Sequence, residues 1–123
     1  MKKKNKKILL IEDDSNFAFI LKERFSQEGF SVVHVEDGKE ALSILKKENF
    51  DLAISDVLLP VVNGVELAKS IRTNYPQLPI ILLTNIKDEN NWQIVRKMKK
   101  VEYLIKSEHS IKEIIERVVK ILK

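Results

Sequence analysis

The sequence predicts an α/β fold in which a doubly wound, five-stranded parallel sheet is covered on both faces by five helices. Two observations predict it: five short apolar segments bounded by turn residues, and five amphipathic segments that alternate with them. Apolar segments of this kind are typical of parallel strands, which are buried on both faces. With 123 residues and no internal repeat, the chain is long enough for one domain with a single core.

The predicted strands are short runs rich in Ile, Val and Leu. They are Lys7–Ile11, Ser31–Val35, Leu52–Asp56, Ile80–Thr84 and Val101–Ile105. Because crossovers between parallel strands are right-handed, and because there are five strands, the sequence favours the flavodoxin-like strand order 2-1-3-4-5. In that order the first and third strands are neighbours, so their carboxyl ends lie side by side.

The first two helices are predicted from apolar residues spaced three and four apart. These residues are Phe17, Ile20, Leu21 and Phe25, and then Ala41, Leu42 and Leu45. Gly29 is predicted to end the first helix, and Asp37 with Gly38 is predicted to turn the chain before the second.

The last three helices follow the same spacing. Their apolar positions are Val65, Leu67, Ala68 and Ile71, then Trp92, Ile94, Val95 and Met98, and finally Ile111, Ile114, Ile115, Val118 and Leu122. Asn63 is the predicted N-cap of the third helix, which should end by Tyr75 and Pro76. Ser110 with Glu113 forms a predicted capping box at the start of the fifth helix.

Composition places the chain among globular proteins. It is 44% hydrophobic and 33% charged, and it lacks cysteine and any apolar run of membrane-spanning length, so we expect a cytoplasmic protein without a membrane partner. Residues 1–6 are predicted to be a basic tail and residues 7–123 the folded domain. The lysines near the start, Lys2, Lys3, Lys4, Lys6 and Lys7, favour a solvated terminus, with contact to nucleic acid or an acidic partner as the alternative.

Polar residues at the strand ends predict a site. Asp13 and Asp14 follow the first strand and Asp56 ends the third, so these three carboxylates should face one another across one crevice. Clustered carboxylates require a cation, and oxygen ligands without histidine or cysteine suit Mg²⁺, with Mn²⁺ as the alternative. Thr84 and Lys106 open onto the same crevice. This combination is typical of a site that receives a phosphoryl group.

The pattern Glu12-Asp13-Asp14, Asp56-x-x-x-Pro60-x-x-Asn63-Gly64, Thr84 and Tyr103-x-x-Lys106 occurs in order on the predicted strand ends. It resembles the receiver domain of two-component response regulators, and the match runs from about residue 7 to residue 122. The resemblance implies that Asp56 accepts phosphate from the phosphohistidine of a sensor histidine kinase or a phosphotransfer protein. It also implies that Asp13 and Asp14 hold Mg²⁺ together with Asp56 and the backbone carbonyl of Leu58.

The resemblance further implies a switch. Lys106 would contact the phosphoryl group, Thr84 would move to bond it, and Tyr103 would turn inward in response. The face made by helix 4, strand 5 and helix 5 would then change for a downstream protein or a second copy of the chain. The protein would thus be a phosphoacceptor that at most catalyses its own phosphorylation and dephosphorylation. Nucleic acid is not an expected partner.

The sequence departs from the family at several positions. Ser107 stands where a proline that commonly follows a cis bond is usual, so we predict a trans bond or a shifted loop after Lys106. Asn85 replaces a small residue beside the pocket, which predicts slower access for a phosphodonor. Lys99 and Lys100 replace Gly-Ala and make the corner before strand 5 basic.

Two alternatives stay open, and the departures at Ser107, Asn85 and Lys99 favour the first. One is a receiver-like interaction module that acts without phosphorylation. The other is a small aspartate-dependent phosphatase, but such enzymes pair the nucleophile with an acid two residues later, and here that residue is Leu58. A flavin-binding protein is disfavoured, because acids after the first strand would repel its phosphate.

Overall fold

A computed structural model describes residues 5–60, 63–85 and 88–123 of the chain. Within these residues there are five strands: β1 (Lys7–Ile11), β2 (Ser31–Val35), β3 (Leu52–Asp56), β4 (Ile80–Thr84) and β5 (Val101–Ile105). Five helices alternate with them in the same described part: α1 (Ser15–Gln27), α2 (Gly38–Leu45), α3 (Gly64–Asn74), α4 (Glu89–Val95) and α5 (Ile111–Leu122). The predicted strand boundaries are confirmed. Lys2, Lys3 and Lys4 of the predicted basic tail lie outside the described residues.

The strands form one parallel sheet in the order β2-β1-β3-β4-β5, which confirms the predicted topology. Its register aligns Ile11 of β1 with Ser55 of β3, and Asp56 of β3 with Leu83 of β4. The residue after β1 and the last residue of β3 therefore reach the same edge of the sheet. This edge lies between β1 and β3, where the strand order reverses and where open α/β sheets bind their ligands.

Two apolar cores cover the sheet, because successive strand residues point to opposite faces. On one face, alternate residues of β1 such as Leu9 and Ile11 pack with buried residues of α2, α3 and α4. On the other face, Ile8 and Leu10 pack with α1 and α5. Among the described helices, none is long and apolar enough to cross a membrane.

An N-cap side chain accepts a backbone hydrogen bond at the start of each of the five described helices. Asn63 accepts a hydrogen bond from the backbone N–H of Val65, and Ser110 and Glu113 form the predicted capping box. Two details differ from expectation. Asp37 is the N-cap of α2 and Gly38 is its first residue, so they begin the helix where a separate turn was predicted. Helix α4 ends at Val95, and Met98 packs on the core from beyond it.

Lys100, at the corner before β5, has a φ of 59°, in the left-handed region that favours glycine. Its carbonyl accepts hydrogen bonds from the backbone N–H of Ile80 at 3.0 Å and from Arg72 at 3.1 Å, which hold this conformation. We expect Lys100→Gly to raise the free energy of unfolding by about 0.5–1 kcal/mol, because glycine removes the steric cost of a side chain at this φ. Urea denaturation measures the change.

Lys99→Gly is the matched control, because Lys99 lacks a positive φ. There the added freedom of glycine in the unfolded chain should lower the stability. If Lys100→Gly destabilised the protein as much as Lys99→Gly does, the left-handed conformation would carry no cost.

Candidate functional site

Three carboxylates meet where β1 and β3 end. Glu12 and Asp13 follow β1 directly, and Asp56 is the last residue of β3. Each offers one oxygen, and the three oxygens lie within 4.8 Å of one another. Glu12 is only 1% exposed and Asp56 is buried, whereas Asp13 is exposed at the mouth. The cluster thus has a buried floor and an open side from which an ion or substrate could enter.

Asp14 lies apart from this cluster, which corrects the expectation that it would face Asp56 beside Asp13. Its Oδ1 accepts hydrogen bonds from the backbone N–H groups of Asn16 at 3.0 Å and Phe17 at 3.2 Å, as the N-cap of α1. Glu12 takes its place in the cluster. The sequence could have indicated this role, because Asp14 directly precedes the first residue of α1 and aspartate is a preferred N-cap residue.

Asp56 is held by contacts from two directions. Its Oδ1 accepts a hydrogen bond from the backbone N–H of Leu58 at 3.2 Å, and its Oδ2 lies 3.0 Å from the Lys106 ammonium. The predicted role of the Leu58 carbonyl as a metal ligand stays a prediction. The two contacts orient the carboxylate at the strand end.

Lys106 reaches the site from the end of β5. Besides Asp56, its ammonium contacts Glu12 Oε1 at 3.3 Å, and its backbone N–H donates to the carbonyl of Thr84 at 2.7 Å. The peptide bond between Lys106 and Ser107 is trans, as predicted, and the side chain still reaches the cluster. Burial by itself lowers the pKa of Lys106, but the neighbouring carboxylates of Asp56 and Glu12 outweigh it and raise the pKa above its ordinary value.

Glu12 is the most perturbed acid of the site. Its pKa is raised from 4.5 to about 7, chiefly by burial and further by the charge of Asp56. The backbone N–H of Asp14 and the charge of Lys106 oppose this rise, because both favour the ionised form. Near neutral pH both the protonated and the ionised form of this carboxyl are therefore populated. A cation bound in the cluster would favour the ionised form.

Thr84 and Tyr103 lie on the neighbouring strands β4 and β5. Thr84 is buried at the end of β4. The Tyr103 ring lies 6.0 Å from the Trp92 ring, and its hydroxyl is buried. Burial raises the pKa of Tyr103, and the charge of Asp88 at the start of α4 adds to this, while polar groups that include the Thr84 side chain oppose it. The Tyr103 hydroxyl thus already points inward, next to Thr84, the position that the resemblance implied it would take only in response to phosphorylation.

Gly64, the first residue of α3, allows that helix to start against the Asp56 backbone. A Cβ at this position would lie 2.7 Å from the Cα of Val57 and still closer to the Asp56 carbonyl oxygen. The Gly64 N–H also donates to the carbonyl of Val57 at 2.7 Å. Any side chain here must displace the strand end that carries Asp56.

We expect Gly64→Ala to lower the free energy of unfolding by about 1–3 kcal/mol, as overpacking does, and to weaken divalent-cation binding. Urea denaturation and a Mg²⁺ titration measure the two effects. Gly29→Ala is the control: Gly29 has a φ of 91°, and no atom of the described residues lies within 4 Å of a Cβ at this position. It should cost stability alone, so equal loss of cation binding in both variants would contradict the local explanation.

The protein-family model of the response regulator receiver domain matches residues 8–119 of this chain. The chain belongs to this family. It is 38% identical over 85 residues to the alkaline phosphatase synthesis transcriptional regulatory protein PhoP of Bacillus subtilis, covering 69% of this chain and 35% of that protein. To the transcriptional regulatory protein CpxR of Escherichia coli it is 41% identical over 78 residues, covering 63% of this chain and 33% of that protein. The receiver domain thus spans about a third of these curated relatives.

Solved structures show the same fold. The chemotaxis response regulator CheY4 of Vibrio cholerae matches with a TM-score of 0.85 and 26% identity, over 96% of this chain and 99% of that one. The receiver domain of Francisella response regulator 1452 matches with a TM-score of 0.84 and 30% identity, over 95% and 96% of the two chains. Membership makes this chain a signalling domain of two-component systems. Receiver domains bind Mg²⁺ at an acidic site and interact with histidine kinases or phosphotransfer proteins.

Proposed function

We propose that Asp56 is the phosphoacceptor of this receiver domain and takes its phosphoryl group from a histidine kinase or a phosphotransfer protein. The observation that carries the proposal is the placement of the Asp56 carboxylate, 3.0 Å from the Lys106 ammonium and within 4.8 Å of the carboxylate oxygens of Glu12 and Asp13. One nucleophile, one cationic side chain and a set of oxygen ligands converge on one strand end.

Phosphoryl transfer requires a nucleophilic oxygen and neutralisation of the charge on the transferred group. A carboxylate oxygen of Asp56 would form the new O–P bond while the P–N bond of the donor phosphohistidine breaks, and the leaving imidazole would keep the electron pair and take up a proton. Lys106 already contacts Asp56, so its ammonium lies where it can pair with a phosphoryl oxygen. This protein therefore needs little rearrangement of its own side chains before transfer.

The donor set suits a hard divalent cation. Glu12, Asp13 and Asp56 offer carboxylate oxygens, the ligands that Mg²⁺ prefers, and Mn²⁺ accepts the same set. We propose Glu12 as the metal-site residue in place of Asp14, and the Leu58 carbonyl as a further ligand. When bound, the cation supplies charge neutralisation at the phosphoryl oxygens.

We further propose that Thr84 and Tyr103 carry the response to phosphorylation. Both lie on strands next to the site, and Tyr103 packs against Trp92, an exposed residue of α4. The expected switch turns Tyr103 inward in response to phosphorylation, but its hydroxyl is already buried. Movement of Thr84 toward a phosphoryl group would therefore act by changing the contacts of Tyr103 in this inward position, and thereby the surface made by α4, β5 and α5. This surface would bind a downstream protein or a second copy of the chain, and the domain would act in the cytoplasm as a phosphoacceptor rather than as an enzyme on other substrates.

The test is phosphorylation of the purified chain with acetyl phosphate and Mg²⁺, followed by intact-protein mass spectrometry and mapping of the modified residue. The proposal expects one phosphoryl group on Asp56, prevented by EDTA. A parallel titration with beryllofluoride and Mg²⁺ should change the fluorescence of Trp92. If neither reagent produced a change, the alternative, an interaction module that acts without phosphorylation, would be favoured.

A further inference from the structure

The Lys106 ammonium has a third partner besides the two carboxylates. It lies 4.2 Å from the centroid of the Phe17 ring, over the ring face. In the described part of the chain, two other lysine–ring contacts occur, Lys7 over Phe50 at 5.0 Å and Lys123 over Phe30 at 5.3 Å, and both are longer. The Lys106 side chain is 16% exposed, so water competes little for its ammonium. A cation over a ring face is attracted most strongly when it is desolvated.

Both the backbone and the ring of Phe17 are held in place. Its backbone N–H donates to Asp14 Oδ1, so the N-cap of α1 fixes the turn that carries it. Its ring is half-buried against the core between α1, α5 and the sheet. Asp14 is thus linked to the site indirectly, because it accepts a hydrogen bond from Phe17 and the Phe17 ring contacts Lys106.

We infer that Phe17 is a positioning residue for Lys106, whose ring keeps the ammonium beside Asp56 during phosphoryl transfer. The inference rests on the proposed function and deepens it. A cation or phosphoryl group at the site shares the charges of Glu12 and Asp56, which weakens their hold on Lys106. The attraction of the ring is unaffected by that sharing. The ring therefore retains the ammonium within reach of the phosphoryl oxygens when the carboxylates release it.

The first test measures the contact without any phosphorylation. Lysine-selective NMR should show the side-chain protons of Lys106 shifted upfield by the ring current of Phe17, and Phe17→Leu should remove that shift. Phe19→Leu is the matched control, because it makes the same chemical change on the same helix at a residue that is 64% exposed. A Lys106 shift that survives Phe17→Leu would show that the ammonium does not sit on the ring.

The second test measures the rate of phosphorylation by acetyl phosphate with Mg²⁺. Phe17→Leu should slow it about three- to tenfold, as expected for loss of one cation–π contact. Phenylalanine analogues with increasing fluorination at position 17 should slow it in steps, because fluorine weakens the ring face while preserving its shape. In a Lys106→Met background, Phe17→Leu should have no further effect, and Phe19→Leu should have none in either background.

The outcomes separate the two proposals. If the wild type shows the ring-current shift but gains no phosphoryl group, the proposed function fails and the contact is structural only. If the wild type is phosphorylated and the fluorinated series changes nothing, the positioning role of Phe17 fails while the function stands. An effect of Phe17→Leu that persists in the Lys106→Met background would also overturn it, because the ring would then act on something other than Lys106.

Discussion

Asp56→Asn is expected to abolish phosphoryl incorporation while leaving the fold intact. Asparagine keeps the shape of the side chain but replaces a carboxylate oxygen with an amide nitrogen and removes the charge that makes the group a nucleophile. The protein loses the contact of 3.0 Å with Lys106 and also the repulsion between Asp56 and Glu12, so the change in stability should be small. Intact-protein mass spectrometry after treatment with acetyl phosphate and Mg²⁺ measures the incorporation.

Asp14→Asn is the matched control, with the same chemical change near the same site. Asp14 acts as the N-cap of α1, and asparagine caps helices as well as aspartate does. This variant should therefore be phosphorylated like the wild type. Equal incorporation into Asp56→Asn and the wild type would refute the assignment of the phosphoacceptor. Loss in Asp14→Asn with a normal circular dichroism spectrum would return Asp14 to the site.

The fold could be predicted from the sequence because the physical signals are local and repeated. Each strand is a short apolar run, and the alternation of strands with helices leaves few topologies once crossovers are right-handed. The positions of Asp56, Thr84 and Lys106 followed from the same reasoning, since residues at the carboxyl ends of parallel strands share one edge. The structure places all three at that edge.

The rest of the site depends on information that a linear pattern lacks. Among three consecutive acids, a shift of one residue decides which side chain enters the crevice and which caps the helix. The prediction therefore placed Asp14 in the cluster, whereas the structure has Glu12 there and Asp14 as the N-cap of α1. The contact of Lys106 with Phe17 joins the first helix to the end of β5, and helical spacing identified Phe17 only as an apolar position. Likewise, the raised pKa of Glu12 follows from its burial, which becomes visible only when the chain is folded.

Glu12→Gln is expected to have opposite effects on the stability of the metal-free protein and on cation binding. The pKa of Glu12 is raised from 4.5 to about 7 in the folded protein, chiefly by burial, so ionisation of Glu12 favours the unfolded chain. The stability of the wild type in EDTA should therefore fall as the pH rises between these two values and change little from this group above them. Glutamine cannot ionise and removes that loss.

In EDTA at about pH 8, Glu12→Gln should thus be more stable than the wild type by roughly 1–3 kcal/mol, and the difference should shrink toward zero at about pH 4.5. Urea denaturation at several pH values measures it. Glu36→Gln, at an exposed residue just after β2, is the control and should show no such dependence. A constant difference across this range would mean that ionisation of Glu12 carries no cost in the folded state.

Adding Mg²⁺ should favour the wild type over Glu12→Gln, the opposite of the stability difference expected in EDTA. Since the variant lacks one of the three carboxylates that lie within 4.8 Å of one another, its Mg²⁺ affinity should fall at least about tenfold. Saturating Mg²⁺ should consequently stabilise the wild type more than the variant, because a ligand that binds only the folded state shifts unfolding by its affinity. A variant that gained as much stability from Mg²⁺ as the wild type would show that Glu12 takes no part in holding the cation. The ionised Glu12 carboxylate would then destabilise the fold without contributing to cation binding.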